Sequence, residues 1–339
     1  MRFYKITISP PIEDLNRFEE FSFSSQTNGK DNYSALQLDL DIYQESYSQY
    51  SANGFIKING IDLKGLGEIG NYNPTLPKAR NKPIEMCKIK IEVGMSKGLP
   101  YANPSQQGII LIGGIMQAFA NWQGVNVSLD MIVAPAFAGS NDLNNITFVW
   151  KKNTELTDAV KLAIETAYKP TKVTGSFRTG LKQSEDAPEQ NFNLLSLSRK
   201  VNAVSRNIIK EPTYTGGLIC VNDTGFYLTD NAITKTATKT IKFTDVIGNL
   251  TWLQIGTISA KVVMRGDLNV GDYISFEKNI PINNIVNNFS QYRNNISFDG
   301  IFYVSKLHHI GSSRSPDGNG WVTTIEAIAS GVGLYPTWV

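Results

Sequence analysis

Few residues in this sequence have types and spacings that could do chemistry, and the spacing decides each case. The two histidines are adjacent, His308 and His309. A strand sends neighbouring side chains to opposite faces, so this pair cannot share one metal ion, and only one could face any given cleft. The expectation is a structural role for both. No His-Glu-x-x-His, P-loop or Gly-x-Ser-x-Gly occurs. Two cysteines, Cys87 and Cys220, are too few for a disulfide framework or a four-thiolate zinc site. Whether they pair stays open on sequence alone.

The run Gly65-Leu66-Gly67-Glu68-Ile69-Gly70 matches Gly-x-Gly-x-x-Gly. That pattern holds a dinucleotide when its glycines open a helix whose N-terminus meets the pyrophosphate. Asn71-Tyr72-Asn73-Pro74 follows at once, so a glycine-rich hairpin or bulge is expected instead, and no cofactor. Asp39 and Asp41 share a strand face through their i, i+2 spacing and read as outward, solvated acids. Asp267 and Asp272 flank a turn, where aspartate caps backbone N–H groups. Nothing nominates a carboxylate pair for glycoside chemistry. The sequence thus offers no catalytic residue and no metal ligand, and the chain is read as not an enzyme.

The elements that would carry these residues are mostly strands. Tyr33 to Tyr43 alternates apolar and polar, and Phe55 to Ile61 repeats the pattern after the turn signal Ala52-Asn53-Gly54. Further strands are expected at 87–93, 107–112, 115–122 and 126–133. Near Trp150 the texture changes. Thr154 is a cap for a helix to Tyr168 that aligns Leu156, Ala159, Val160, Ala163 and Ala167 on one face. A second helix, from Asn193 to about Asn207, aligns Leu194, Leu197, Val201 and Val204. Strand texture returns after Pro212 and ends at 321–329. The fold class expected is mainly β with a small α/β insertion: two β-barrel-like domains in tandem flanking a middle domain. Their bounds are 1–150, 151–212 and 213–339, with an Asn-rich excursion at 279–297 in the last. Gly60-Ile61-Asp62-Leu63 and Gly266-Asp267-Leu268 form a faint echo, each read as strand, tight turn, strand in its own barrel.

Composition narrows the function. The 339 residues carry 32 Lys+Arg against 30 Asp+Glu, a net charge of +2 that argues against non-specific nucleic-acid binding. Charged residues are only 18%, which suits surfaces covered by other subunits. The most apolar stretch, Ile109 to Ala120, is broken by Gly113-Gly114 and falls short of the roughly 20 residues of a spanning helix, so no membrane insertion is expected. No export signal is apparent, and the chain reads as soluble and made in a cytoplasm.

Several blocks resemble phage baseplate central hub proteins of contractile tails, which are related to the base of type VI secretion spikes. They are Ile241 to Trp252, Val262 to Ile274, and above all Phe298 to Val304 with His308-His309-Ile310-Gly311 and Trp321-Val322-Thr323-Thr324. In that family the last block is a strand, a histidine–glycine turn and a closing strand of the second barrel. Phe119 to Gly124 before Leu129 to Val133 resembles the corresponding strand pair of the first. The resemblance implies a homotrimer whose six barrels form a pseudo-sixfold ring. It also implies a trimeric spike protein at one end, a tail tube or tube-initiator protein at the other, and a lumen for the tape measure C-terminus and DNA. Baseplate wedge proteins are further partners, no specific nucleic-acid sequence is read, and the location is the virion tail after synthesis in the host cytoplasm. The alternative is a carbohydrate-binding or carbohydrate-cleaving tail-associated β-protein. Tyr335 and Trp338, on the short apolar tail, are the candidate partner contacts.

Overall fold

The computed structural model describes residues 2–10, 20–45, 54–71, 87–96, 103–135, 146–168, 172–211, 214–222, 225–231, 239–254, 256–277, 298 and 300–330. The 279–297 excursion and the tail residues Tyr335 and Trp338 lie outside the described residues.

The fold is mainly β. Its first unit begins with β1 (Arg2–Ser9), β2 (Phe21–Ser24) and the short pair β3 (Gln26–Thr27) and β4 (Lys30–Asp31). There follow β5 (Gln37–Glu45), β6 (Gly54–Asn59), helix α1 (Leu63–Asn71), β7 (Lys88–Met95), β8 (Gly108–Gln123) and β9 (Asn126–Pro135). The period of two is visible in β5, which buries Leu38, Leu40 and Ile42 and turns Asp39 and Asp41 to the other face. The inward residues of these strands, Ile6, Ile56, Ile91 and Met131 among them, make one core.

Two sequence expectations change here. The glycine run lies in α1, not in a hairpin or bulge. Asp62 Oδ1 accepts the Gly65 N–H at 3.2 Å and caps the first turn, and Leu66 and Ile69, three apart, turn into the core. Each interior glycine costs a helix about 1 kcal/mol, which burial of the two aliphatic side chains offsets at ~1.5–3 kcal/mol each. The flanking strands β6 and β7 run in opposite directions, so the helix is no part of a parallel dinucleotide-binding unit. The strands expected at 107–112 and 115–122 are one strand, β8. Gly113-Gly114 does not break it, and its irregularities are bulges at Ile110, against β7, and between Ile115 and Gln117, against β9.

The middle unit comprises β10 (Ile146–Phe148), α2 (Leu156–Ala167), β11 (Val173–Gly175), β12 (Gln190–Phe192) and α3 (Leu194–Ile209). Both helices bury the faces expected of them, with Ile164 added, except that Ala167 and Val204 are only half-buried against the core. The N-cap of α2 is Glu155 rather than Thr154, and its carboxylate accepts the Gly180 N–H at 3.2 Å instead of an N–H of its own helix. Asn193 caps α3 through the Ser196 N–H at 2.8 Å. Next comes the hairpin of β13 (Leu218–Asn222) and β14 (Gly225–Thr229), whose β14 pairs in parallel with β11. Ile219, Phe226 and Leu228 point into the middle core, whereas Leu218 and Cys220 point into the next one. One hairpin is therefore a wall common to two cores.

The last unit holds β15 (Lys239–Ile241), β16 (Thr251–Gln254), β17 (Thr257–Val263), β18 (Tyr273–Phe276), β19 (Ile301–Ser312) and β20 (Trp321–Ser330). Its strand order β16-β17-β20-β19-β18 repeats the order β5-β6-β9-β8-β7 of the first unit, antiparallel throughout. The long hairpins β8–β9 and β19–β20 occupy equivalent places, and each carries a bulge, between Ile115 and Gln117 and between Val304 and Lys306. The sequence echo falls at the equivalent point too, just past β6 and just past β17. Only the second copy continues as a turn into a strand, while the first continues as α1.

Candidate assembly interface

The two β units meet along a strand that changes neighbours midway. Residues 301–303 of β19 pair with β18, and residues 306–312 pair, on the same edge, with β5 of the first unit. The bulge at Ser305 lies between the two stretches and redirects the strand. The result is a 13-stranded sheet running through both units, with β16 at one end and β2 at the other.

The outer face of this joint is polar and closely fitted. His308 stacks on Tyr43 with ring centroids 3.6 Å apart, and its Nε2 lies 2.7 Å from Asp41 Oδ1. Lys306 Nζ sits 2.8 Å from Glu45 and 5.5 Å from the Tyr43 ring centre, and the hydrogen bond to Glu45 raises the pKa of its ammonium. Asp39 accepts from Ser312 Oγ at 2.6 Å and from Asn59 Nδ2 at 3.2 Å. Asp39 and Asp41, expected as ordinary solvated acids, thus hold the joint together. The inner face takes His309, fully buried, with Nδ1 2.9 Å from Thr323 Oγ1. Burial pulls its pKa down to about 3, so the ring is neutral. The adjacent histidines occupy opposite faces, as strand alternation requires. The expected histidine–glycine turn is instead interior to β19, where Gly311 makes room for Trp321: a Cβ there would lie 2.6 Å from that ring.

A second set of contacts locks the loops around the joint. Gly108 and Gly266 pack backbone to backbone, and a Cβ on either would come within 2.4 Å of the other's carbonyl oxygen. Gly266 donates its N–H to Gln106 O at 2.9 Å, and Gln106 Nε2 donates to Asp245 Oδ2 at 2.8 Å. The Arg265 guanidinium, 4% exposed, grips Asp267 through two bonds of 2.9 and 2.7 Å and reaches Asp245 at 3.3 Å. Asp267 is therefore a partner of Arg265 rather than a turn cap, while Asp272 does cap, accepting the Asn269 N–H at 2.7 Å. Trp321, from the last strand, enters the first unit's core and donates Nε1–H to Gly94 O at 2.8 Å. Arg2 donates to the carbonyls of Ser312 and Asp317, and desolvation pulls its pKa down.

Beyond this joint the β8–β9 hairpin projects outward. From Phe119 to Asn126 every residue is exposed, and the large apolar ones are Phe119, Trp122 and Val125, the last 96% exposed. Leu253 on β16 is half exposed. In the middle unit a cavity of 380 Å³ lies between α3 and the 182–190 loop, with Phe148, Trp150, Lys182 and Lys200 in its lining and no carboxylate. Among the described residues no group of three or more His, Cys, Asp or Glu could hold a metal ion, and no helix is long and apolar enough to cross a membrane. Cys87 and Cys220 form no disulfide and are buried in different cores, and burial pushes the Cys220 pKa up to about 12. None of the joint was nominated from sequence. Only the alternation of β5 and the paired histidines hinted at it.

No protein-family model and no curated protein matches the chain. Solved structures do. A tail protein from Neisseria meningitidis MC58 superposes with a TM-score of 0.52 at 10% identity, covering 98% of both chains. An Escherichia coli component of the type VI secretion system, described as similar to the T4 bacteriophage tail proteins gp27 and gp5, superposes with a TM-score of 0.50. Its identity is 8%, over 90% of this chain and 78% of its own. At such identities the fold is what is shared: this chain has the mainly-β fold of phage tail proteins and of a type VI secretion component, the kinds of protein its sequence motifs resemble.

Proposed function

We propose that the chain is a structural hub of a phage tail baseplate: a trimeric adaptor that joins a hexameric tail tube to a trimeric central spike, with a lumen for the tape measure and DNA. The observation that carries this reading is the repeated strand order, β5-β6-β9-β8-β7 and β16-β17-β20-β19-β18, within one chain and joined edge to edge. Two look-alike units per chain give six per trimer, the geometry that matches a threefold spike to a sixfold tube. The reading takes residues 1–150, 151–212 and 213–339 as the two β domains and the domain between them. Its role is structural, and the 380 Å³ cavity, without a carboxylate, does not favour the carbohydrate-cleaving alternative. Tail tube, wedge proteins and the tape measure C-terminus are its further partners, and the virion tail is its location.

The mass of the purified chain in solution tests the proposal. A threefold species, or a monomer that becomes threefold on adding a spike protein, supports it. A strictly monomeric protein that cleaves glycans overturns it. Tyr335 and Trp338 are proposed to dock onto a neighbour, so deleting residues 334–339 weakens assembly. Unchanged assembly with a lowered melting temperature places them on the chain's own surface.

A further inference from the structure

We infer that the cavity of the middle unit is a docking site for a segment of a partner protein in which a bulky apolar side chain stands beside a carboxylate. The inference is independent of the number of chains in the assembly. The cavity's 380 Å³ falls within the ~300–1,000 Å³ of pockets that hold ligands. The deeply buried part of its lining is Phe148, Trp150 and Leu156, each 4% exposed or less. Trp150 already donates its Nε1–H within the unit, to Thr154 O at 2.8 Å, so its ring offers an occupant apolar surface alone.

Residue order along α3 explains why apolar surface is left over here. Leu197, Val201, Val204 and Ile208 make one stripe at helical spacing. Leu197 and Val201 are buried in the middle core, whereas Val204 is half-buried and Ile208 is 40% exposed. The stripe thus outruns the core, and its end lines the cavity. The opposite wall is a polar loop, yet hydrogen bonds hold it in place. The Asn153 N–H donates to Gln183 O at 3.0 Å, the Ala187 N–H to Trp150 O at 3.0 Å, and the Lys152 N–H to Asp186 Oδ1 at 2.7 Å. Both walls are therefore set before a partner arrives, which lowers the ordering cost of binding.

Charge selects the occupant. Each wall brings one ammonium group to the lining, Lys182 from the loop and Lys200 from α3, and among the described residues no carboxylate joins them. Lys200 is exposed and forms no ion pair among the described residues. Lys182 lies 3.5 Å from Glu155, whose carboxylate also accepts the Gly180 N–H and stands outside the lining. Glu185, Asp186 and Glu189 belong to the same loop and are exposed, but none of them lines the cavity. An apolar interior between two cations suits an apolar side chain accompanied by an acid, and like-charge repulsion disfavours a basic segment. Gln183, Ser184 and Gln190 add donors and acceptors for the peptide groups of the occupant.

Methyl NMR of the full chain tests this with two probes, acetyl-Glu-Phe-Glu-Leu-Glu-amide and its counterpart acetyl-Lys-Phe-Lys-Leu-Lys-amide. The acidic peptide is expected to shift the Val204 and Ile208 methyl signals saturably, and the lysine peptide to bind at least tenfold more weakly. Lys200→Glu should weaken the acidic peptide at least tenfold. Arg199→Glu, which changes the neighbouring charge outside the lining, should weaken it no more than twofold. Both side chains are exposed, and an unchanged melting temperature confirms that the variants fold. Methyl signals that stay in place at millimolar acidic peptide overturn the site. Equal binding of the two peptides, or an equal loss from both variants, overturns the charge selection and with it the partner. A single-stranded DNA oligonucleotide that shifts the same methyl signals at lower concentration than the peptide assigns the cavity to a nucleic acid and overturns the proposal.

Discussion

Strands β8 and β19 hold the same place in two similar units, yet meet different fates within the chain. Past its bulge β19 is sandwiched between β20 and β5, and its outward side chains are stacked or hydrogen-bonded. Past its own bulge β8 runs out with Phe119 and Trp122 exposed. The same backbone device thus leads to a contact between units in one case and, among the described residues, to a stretch paired with β9 alone in the other. Side-chain chemistry follows the fate. The contact between units carries a histidine, a tyrosine and paired charges that satisfy one another, whereas the end of β8 carries the exposed apolar side chains Phe119 and Trp122.

That comparison can be broken most severely at the buried ions around the finished joint. Arg265→Ala would leave Asp245 uncompensated in a closed site, and a loss of about 3–5 kcal/mol is expected in urea unfolding. Acid should act nearly as strongly through His309. Its folded pKa is about 3 against 6.5 for the unfolded chain, so on acidification the unfolded state takes up the proton first. Stability from this group is whole above pH 6.5 and is lost as the pH falls towards 3, by on the order of 4 kcal/mol. The difference in unfolding midpoint between wild type and His309→Leu, followed against pH, isolates that contribution. Gly266→Ala, which drives a methyl against the backbone of Gly108 and Val93, should cost roughly 3 kcal/mol and lower the melting temperature accordingly.

Smaller effects sharpen the contrast. Tyr43→Ala removes the ring under His308 and should cost the single chain about 1 kcal/mol. Phe119→Ala, at the β8 position equivalent to His308, should change the unfolding of the single chain by no more than about 0.5 kcal/mol. A loss for Phe119→Ala as large as for Tyr43→Ala would show that the β8 edge is already covered within the chain.

Much of the fold was legible because its signals are local. Alternation in β5 and β6 and the apolar faces of α2 and α3 follow directly from residue order. The helix α1 was missed because Gly65 and Gly67 argue against a helix, and only the long-range burial of Leu66 and Ile69 overrides them. The unity of β8 was missed because Gly113-Gly114 reads as a break until its partners across the sheet are known. The joint itself left almost no trace. Asp41 and His308 stand 267 positions apart, and Gln106 and Asp245 139 apart, and no spacing rule connects residues so distant. The two repeats also share little sequence, because equivalent positions face different surroundings: by their ladder partners Gly311 corresponds to Trp122, and His308 to Phe119.

The hairpin β13–β14 bears on how such a part would carry load. Since alternate residues of one ribbon fill two hydrophobic interiors, neither can be pried from the other without baring Leu218 and Cys220 on one side or Ile219, Phe226 and Leu228 on the other. Displacing the helical module would mean tearing cores rather than bending a connector. A thrust delivered to that module therefore passes straight into the strands behind it, and the two travel as a single stiff block.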